Sequence, residues 1–200
     1  MNASPTAPTI RVATEADADA VAAFGRRSFS ETFAADNRPA DLATYLESAF
    51  SPDIQRRELQ NPATTCLTME RDGILIAYAM LCDGKVSAHV TDPTAMELQR
   101  FYVDKSAHGT GLAQALMSAC IATAMARGAG TLFLGVWERN TRAIRFYNAQ
   151  GFAEVGRQTF MVGEDVQQDL VLARPVSQQE KPCSTGAARE ARHSGAAGIP

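Results

Sequence analysis

Two short stretches carry residue types that can do chemistry. The first is His108-Gly109-Thr110-Gly111-Leu112-Ala113, between a strand ending in Phe101-Tyr102-Val103 and a helix. Glycines let the backbone approach a ligand closely. The first turn of a helix leaves amide N–H groups without intrahelical partners, and with the helix dipole they favour an anion. The stretch therefore suits a pyrophosphate cradle, although G-x-G before a helix also occurs as a plain tight turn. It is not a P-loop, because no G-x-x-x-x-G-K-S/T occurs. The G-x-G-x-x-G spacing fails too, because Gln114 stands at the third position and the loop lies late in the chain. The second stretch runs from Gly135 to Phe152. On a helix beginning at Asn140, Tyr147 lies on the same face two turns later, and Ala143 between them leaves room for a ligand. The same residues also read as a capped amphipathic helix with Phe146 and Tyr147 in the core.

The elements that position these stretches follow from periodicity and punctuation. Thr9–Ala13 reads as a first strand. Thr14 and Asp17 read as the start of a helix passing through Val21, Phe24 and Phe29, broken by Asp36-Asn37-Arg38-Pro39. A second helix covers about Pro39–Phe50, and Ser51-Pro52-Asp53 starts a further helical piece that Asn61-Pro62 ends. Thr64–Glu70 and Ile74–Cys82 form a hairpin turning at Arg71-Asp72-Gly73. Ala95–Val103 is a strand, with Glu97, Gln99, Phe101 and Val103 expected on one face. Gly111–Arg127 is a helix with Leu112, Leu116, Cys120 and Thr123 on one face, closed by Gly128 and Gly130. Thr131–Val136 is a strand, Asn140–Ala149 a short helix, and Phe152–Val162 with Asp165–Ala173 a last hairpin. The order β-α-α-β-β-β-α-β-α-β-β predicts one α/β (α+β) domain over residues 9–175, a mixed sheet of about seven strands with helices on both faces. Residues 1–8 read as a loose tail. Residues 176–200 have too few large apolar groups to offset the entropy of ordering, and read as a disordered tail.

Composition narrows the function classes. The 200 residues are 46% hydrophobic and 20% charged, with a net charge of −3, which is ordinary for a soluble domain. No run of Lys and Arg suggests a nucleic-acid footprint. No apolar stretch approaches a membrane span, and MNASPTAPTI is not a signal peptide, so a cytoplasmic location is expected. The cysteines, Cys66, Cys82, Cys120 and Cys183, include no C-x-x-C pair, and only three histidines are present. No metal site is expected, and the three cysteines in apolar runs read as buried free thiols.

His108–Ala113 resembles the acyl-CoA motif of the GNAT acetyltransferase superfamily, Q/R-x-x-G-x-G/A, with Gly111 and Ala113 at its small positions and His108 departing from the usual Gln or Arg. Asn140–Phe152 resembles a second hallmark, N-x-x-A-x-x-F-Y-x-x-x-G-F, at every named position. The stretches E-L-x-R-F-Y-V and L-G-V-W-E-x-N-x-R-A-I-R-F-Y look like the PaiA-like group, which is similar to spermidine/spermine N-acetyltransferases. The resemblance implies the GNAT fold and acetyl-CoA as co-substrate. It implies that CoA is held by His108, Gly109, Thr110, Gly111, Leu112, Ala113, Asn140, Ala143 and Tyr147, with backbone groups of Phe101, Tyr102 and Val103 along the pantetheine arm. It also implies a strand splayed from its neighbour, where a backbone N–H meets the thioester oxygen. Members often form homodimers.

Acetyl transfer to an amine needs a base, an oxyanion partner and a proton for the leaving thiolate. The resemblance points to Glu97 as base, acting through water, and to Tyr147 as acid. Their bland alternatives are an exposed strand-start carboxylate and a core phenol bonded to a backbone carbonyl. For the acceptor, Phe29, Phe33, Tyr45 and Trp137 are candidate apolar walls. Glu31, Asp36, Glu138, Glu164 and Asp165 are candidates to hold a second ammonium. Three functions fit: an acetyltransferase for a small primary amine such as a polyamine, one for a peptide α-amine or lysine, or a non-catalytic acyl-CoA-binding module.

Overall fold

A computed structural model describes residues 6–85 and 87–176. Its elements in chain order are β1 (Thr9–Val12), α1 (Ala18–Phe33), α2 (Pro39–Ala49), α3 (Pro52–Gln60), β2 (Thr64–Arg71), β3 (Ile74–Cys82), β4 (Met96–Val103), α4 (Leu112–Ala126), β5 (Thr131–Trp137), α5 (Thr141–Ala149), β6 (Ala153–Val162) and β7 (Asp165–Pro175). A short 3₁₀ turn, Glu15–Asp17, leads into α1, and the Asp17 carboxylate accepts the Thr14 N–H at 2.7 Å. Three helices stand between β1 and β2, because the further helical piece after Ser51 is a full helix that the order β-α-α-β leaves out. The third begins with Pro52 in its first turn and Ser51 as its cap, the hydroxyl accepting from the Ile54 N–H.

All seven strands form one sheet in the order β1-β2-β3-β4-β5-β7-β6. The β4–β5 pair is parallel and the others antiparallel. Both faces are covered. One side of the sheet packs Leu98, Leu132, Leu134, Leu170 and Leu172 against Leu112, Leu116 and Cys120 of α4 and Tyr147 of α5. The opposite side packs Cys66, Tyr78 and Met80 against Val21 and Phe24 of α1. A third apolar cluster joins Phe29, Leu46, Phe50 and Val162, with Tyr102 and Phe160 against it. On α4 the buried stripe includes Met117 and Ala124, and Thr123 lies at its margin.

Cys66, Cys82 and Cys120 are buried free thiols, while Cys183 lies outside the described residues. Val176, which composition assigns to the trailing tail, is 4% exposed, and its N–H donates to the Gly130 carbonyl at 2.8 Å. The packed chain therefore runs at least one residue past 175, and the rest of that tail, like residues 1–5, lies outside the described residues. No helix among the described residues is long and apolar enough to cross a membrane.

Candidate active site

The centre of the sheet is where β4 and β5 part. Their pairing is confined to Met96 with Leu132 and Glu97 with Phe133, although β4 continues for six more residues. A bulge shapes β4 at this point. Leu98 pairs with Leu81 and Arg100 with Met80, so Gln99 is an extra residue without an opposite number on β3. The bulge resets the alternation of side chains. Leu98, Phe101 and Val103 face α4 and α5, whereas Arg100 and Tyr102 face α1–α3 with Cys82, the partner of Glu97. Glu97 and Gln99 therefore do not share a face with Phe101 and Val103, contrary to simple alternation. Gln99 Oε1 accepts from Cys82 Sγ at 3.4 Å, which fixes it on the α1–α3 side.

The bulge also decides which backbone groups face the gap. The Asp104 N–H donates to Ile76 of β3, so by alternation the N–H groups of Phe101 and Val103 point toward the side that β5 has left. The Val103 carbonyl is engaged by His108 Nε2 at 3.1 Å. That bond ties the loop to the end of β4 and directs the imidazole at protein backbone rather than at a phosphate site.

The loop itself is anchored from α1. Arg27 donates to Asp104 at 2.7 Å, and Lys105 lies 3.5 Å from Glu31. Gly109 and Gly111 have φ of 76° and 85°, in the left-handed region where a side chain is strained, and a Cβ on either would meet open space. Gly111 is the N-cap of α4 and supplies no side-chain cap. Ala115 is the first residue whose N–H closes onto Gly111, so the amides of Leu112, Ala113 and Gln114 remain available beside the open glycine loop. A cradle of this shape and polarity fits a pyrophosphate.

Across the gap, the Asn140 side chain caps α5, accepting the Ala143 N–H at 3.1 Å. Ala143, Ile144 and Phe146 pack on the α4–α5 face. Tyr147 is 9% exposed, edge-on to Phe101 with centroids 6.2 Å apart and to Phe152 at 5.8 Å. Its hydroxyl makes no hydrogen bond among the described residues, unlike a structural phenol tied to a carbonyl. Burial pushes its pKa well up, with a smaller contribution from Cys120. Glu97 is partly buried and has no ion pair among the described residues. Burial raises its pKa, opposed by Lys85 and Arg100. Arg100 is held by Glu58 in a two-pronged pair at 2.6 and 3.0 Å.

The expected apolar walls do assemble. Phe29 lies 4.5 Å from both Phe33 and Tyr45, and Phe33 meets Trp137 edge-on at 5.8 Å. The expected acidic residues fare differently. Glu31 pairs with Lys105, Glu138 with Arg157, and Asp165 accepts from Gln167, which also donates to Asn37. Glu164 and Asp36 lie on the exposed surface. The sequence reading did not count Asp169, which is 7% exposed on β7, among the candidate acceptor carboxylates. The signal available was a lone carboxylate abutting the apolar run Leu170-Val171-Leu172. Among the described residues no cluster of His, Cys, Asp and Glu could hold a metal ion.

The acetyltransferase (GNAT) family model matches residues 27–152, and the chain belongs to that family. Its enzymes are acyltransferases, and this chain is an N-acetyltransferase by class. It is 35% identical to an uncharacterized N-acetyltransferase of Mycobacterium tuberculosis over 158 residues, 79% of this chain and 97% of that one. Its structure is similar to that of the PaiA N-acetyltransferase from Thermoplasma acidophilum in complex with coenzyme A, with a TM-score of 0.69 and 17% identity, covering 85% of this chain and 99% of that one. It is also similar to the ribosomal-protein-alanine N-acetyltransferase from Brucella melitensis, with a TM-score of 0.65 and 25% identity over 84% and 99% of the two chains.

Proposed function

We propose that this protein transfers the acetyl group of acetyl-CoA to a primary amine of a small molecule in the cytoplasm, with polyamines the first candidates. One observation carries the reading. β4 leaves β5 after Glu97, and the gap leads along β4 to two left-handed glycines and the uncapped start of α4. The likeness to a PaiA enzyme whose structure holds coenzyme A supports it.

Bound acetyl-CoA supplies an acetyl group activated as a thioester. The free amides of α4 hold its phosphates, and the N–H groups of Phe101 and Val103 face the gap that receives its arm. Glu97 and Tyr147 flank that gap from opposite sides of the sheet. Glu97, on the α1–α3 side, takes the proton of the incoming ammonium through water. Its raised pKa brings it nearer to neutral pH, where a base works best. Tyr147, on the α4–α5 side, delivers its phenolic proton to the departing sulfur. Desolvation keeps that proton on the phenol until negative charge develops beside it.

The test is release of free thiol from acetyl-CoA with a panel of polyamines, other small amines and short peptides. Release with small amines, strongly reduced in Tyr147→Phe, is expected. Release only with peptides would move the assignment to a peptide α-amine or lysine. Binding of acetyl-CoA with no turnover on any acceptor would make the chain a binding module.

A further inference from the structure

We infer that Asp169 anchors a cation subsite in the acceptor pocket, so that the amine acetylated by this protein carries a second positive charge distant from the reacting nitrogen. This rests on the acetyl-transfer reading above and specifies its acceptor. Asp169 is 7% exposed, yet its carboxylate has no hydrogen bond and no ion pair among the described residues. A buried carboxylate without a partner is costly, and such a group marks a place where a ligand supplies the partner.

Its neighbours on the sheet are polar and aromatic rather than aliphatic. Asp169 is paired with Gln158 on one side and Trp137 on the other, along one rung of β6, β7 and β5. Gly135 lies next to that rung on the same face. A Cβ there would come within 2.8 Å of Gln158 Nε2 and 3.1 Å of Asp169 Oδ2, so only a glycine lets the Gln158 amide and the Asp169 carboxylate close over this rung together. Tyr45 stands close enough for Asp169 to help raise its pKa, after burial. Trp137 already accepts a cation, with the Arg139 guanidinium 5.8 Å from its ring, but that guanidinium makes no ion pair with Asp169. Burial alone pushes the Asp169 carboxyl up to about 6, which leaves it mostly ionised at neutral pH.

The site lies on the α1–α3 side, the side of Glu97. Gly135 and Trp137 lie within the residues 27–152 matched by the family, whereas Gln158 and Asp169 follow them on the last hairpin. Phe133 pairs with Glu97 and Trp137 with Asp169, which puts the two carboxylates four residues apart along β5 and on the strands either side of it, roughly 16 Å across the sheet. That spacing favours a long diamine over a short amino acid.

The experiment compares diaminobutane and diaminooctane with butylamine and octylamine as acceptors, in wild type and Asp169→Asn. The KM for diaminooctane should lie at least about tenfold below that for octylamine in wild type, as a charge-assisted bond allows. Asp169→Asn should erase that difference by raising the diaminooctane KM toward that of octylamine. Gly135→Ala, which keeps the carboxylate but crowds its Oδ2 and displaces the Gln158 amide, should raise the diamine KM. Equal KM values for diamine and monoamine in wild type, or a diamine KM unmoved in Asp169→Asn, overturn the subsite and leave acetyl transfer standing. If no amine is turned over, calorimetric titration of diaminooctane decides: binding in wild type that is lost in Asp169→Asn supports the subsite, and no binding to wild type refutes it. Failure of the acetyl-transfer reading is seen separately, as a protein that does not bind acetyl-CoA.

Discussion

The two faces of the sheet differ in how they are built. On the α4–α5 face, the groups that matter come from two unbroken stretches, Gly109–Ala113 and Asn140–Tyr147, each fixed by its own helix start. On the α1–α3 face, Glu97, Trp137, Gln158 and Asp169 come from four strands, and Phe33 and Tyr45 from two helices. A site made from one helix and its preceding loop needs little else to take shape. A site assembled across elements depends on register, bulges and packing, and can change with a single side chain. The first face suits a constant co-substrate and the second a particular acceptor.

Substitutions can break this division. The largest effect is expected from Tyr147→Phe, which removes the proposed proton donor on the co-substrate face. Its kcat should fall about a hundredfold or more, with the affinity for CoA and the KM for the amine little changed. A fall in CoA affinity of the same size would instead make Tyr147 a packing residue. Glu97→Gln should follow, with kcat/KM lower by about a hundredfold. In wild type, activity should rise with pH through a group titrating above the ordinary carboxylate range, since burial raises the Glu97 pKa, and that limb should vanish in the variant.

Asp169→Asn sharpens the comparison through stability. The Asp169 carboxyl is raised to about 6 in the folded protein, against about 3.9 unfolded. The fold therefore favours the protonated form, and stability is lost as pH rises from about 4 to about 6. The Asn variant avoids that loss. It should unfold in denaturant with up to about 3 kcal/mol more stability at pH 7 to 8, and with no gain at pH 4. A function-linked carboxylate should behave so, whereas a structural one should destabilise when replaced. The smallest effect is expected for His108→Ala, which loses one bond to Val103. Thermal unfolding should show about 1 kcal/mol of destabilisation, with CoA affinity changed only a few-fold.

The same division explains what the sequence made legible. Strand and helix limits near Gly109–Ala113 and Asn140–Gly151 follow from glycine, caps and periodicity, all local signals. The bulge at Gln99 has no such signal, because it exists only in the pairing of β4 with β3, and it alone turns Glu97 away from Phe101. Asp169 reads as an ordinary strand carboxylate until β5, β6 and α2 close around it. Glu31, Glu138 and Asp165 look equally available in sequence and are engaged by Lys105, Arg157 and Gln167 from distant or turned positions. Val176 is one apolar residue at the head of a polar stretch, and only its bond to Gly130 draws it into the core.

Calorimetric titration of CoA into the wild type and into Gly111→Val tests the central claim most directly. The account predicts one site per chain in wild type. It predicts affinity at least about tenfold weaker in the variant, because a β-branched side chain strains the left-handed backbone and crowds the free amides of α4. A wild type that binds no CoA, or a variant that binds it equally well, would contradict the assignment of the splayed strands and the glycine loop to the co-substrate.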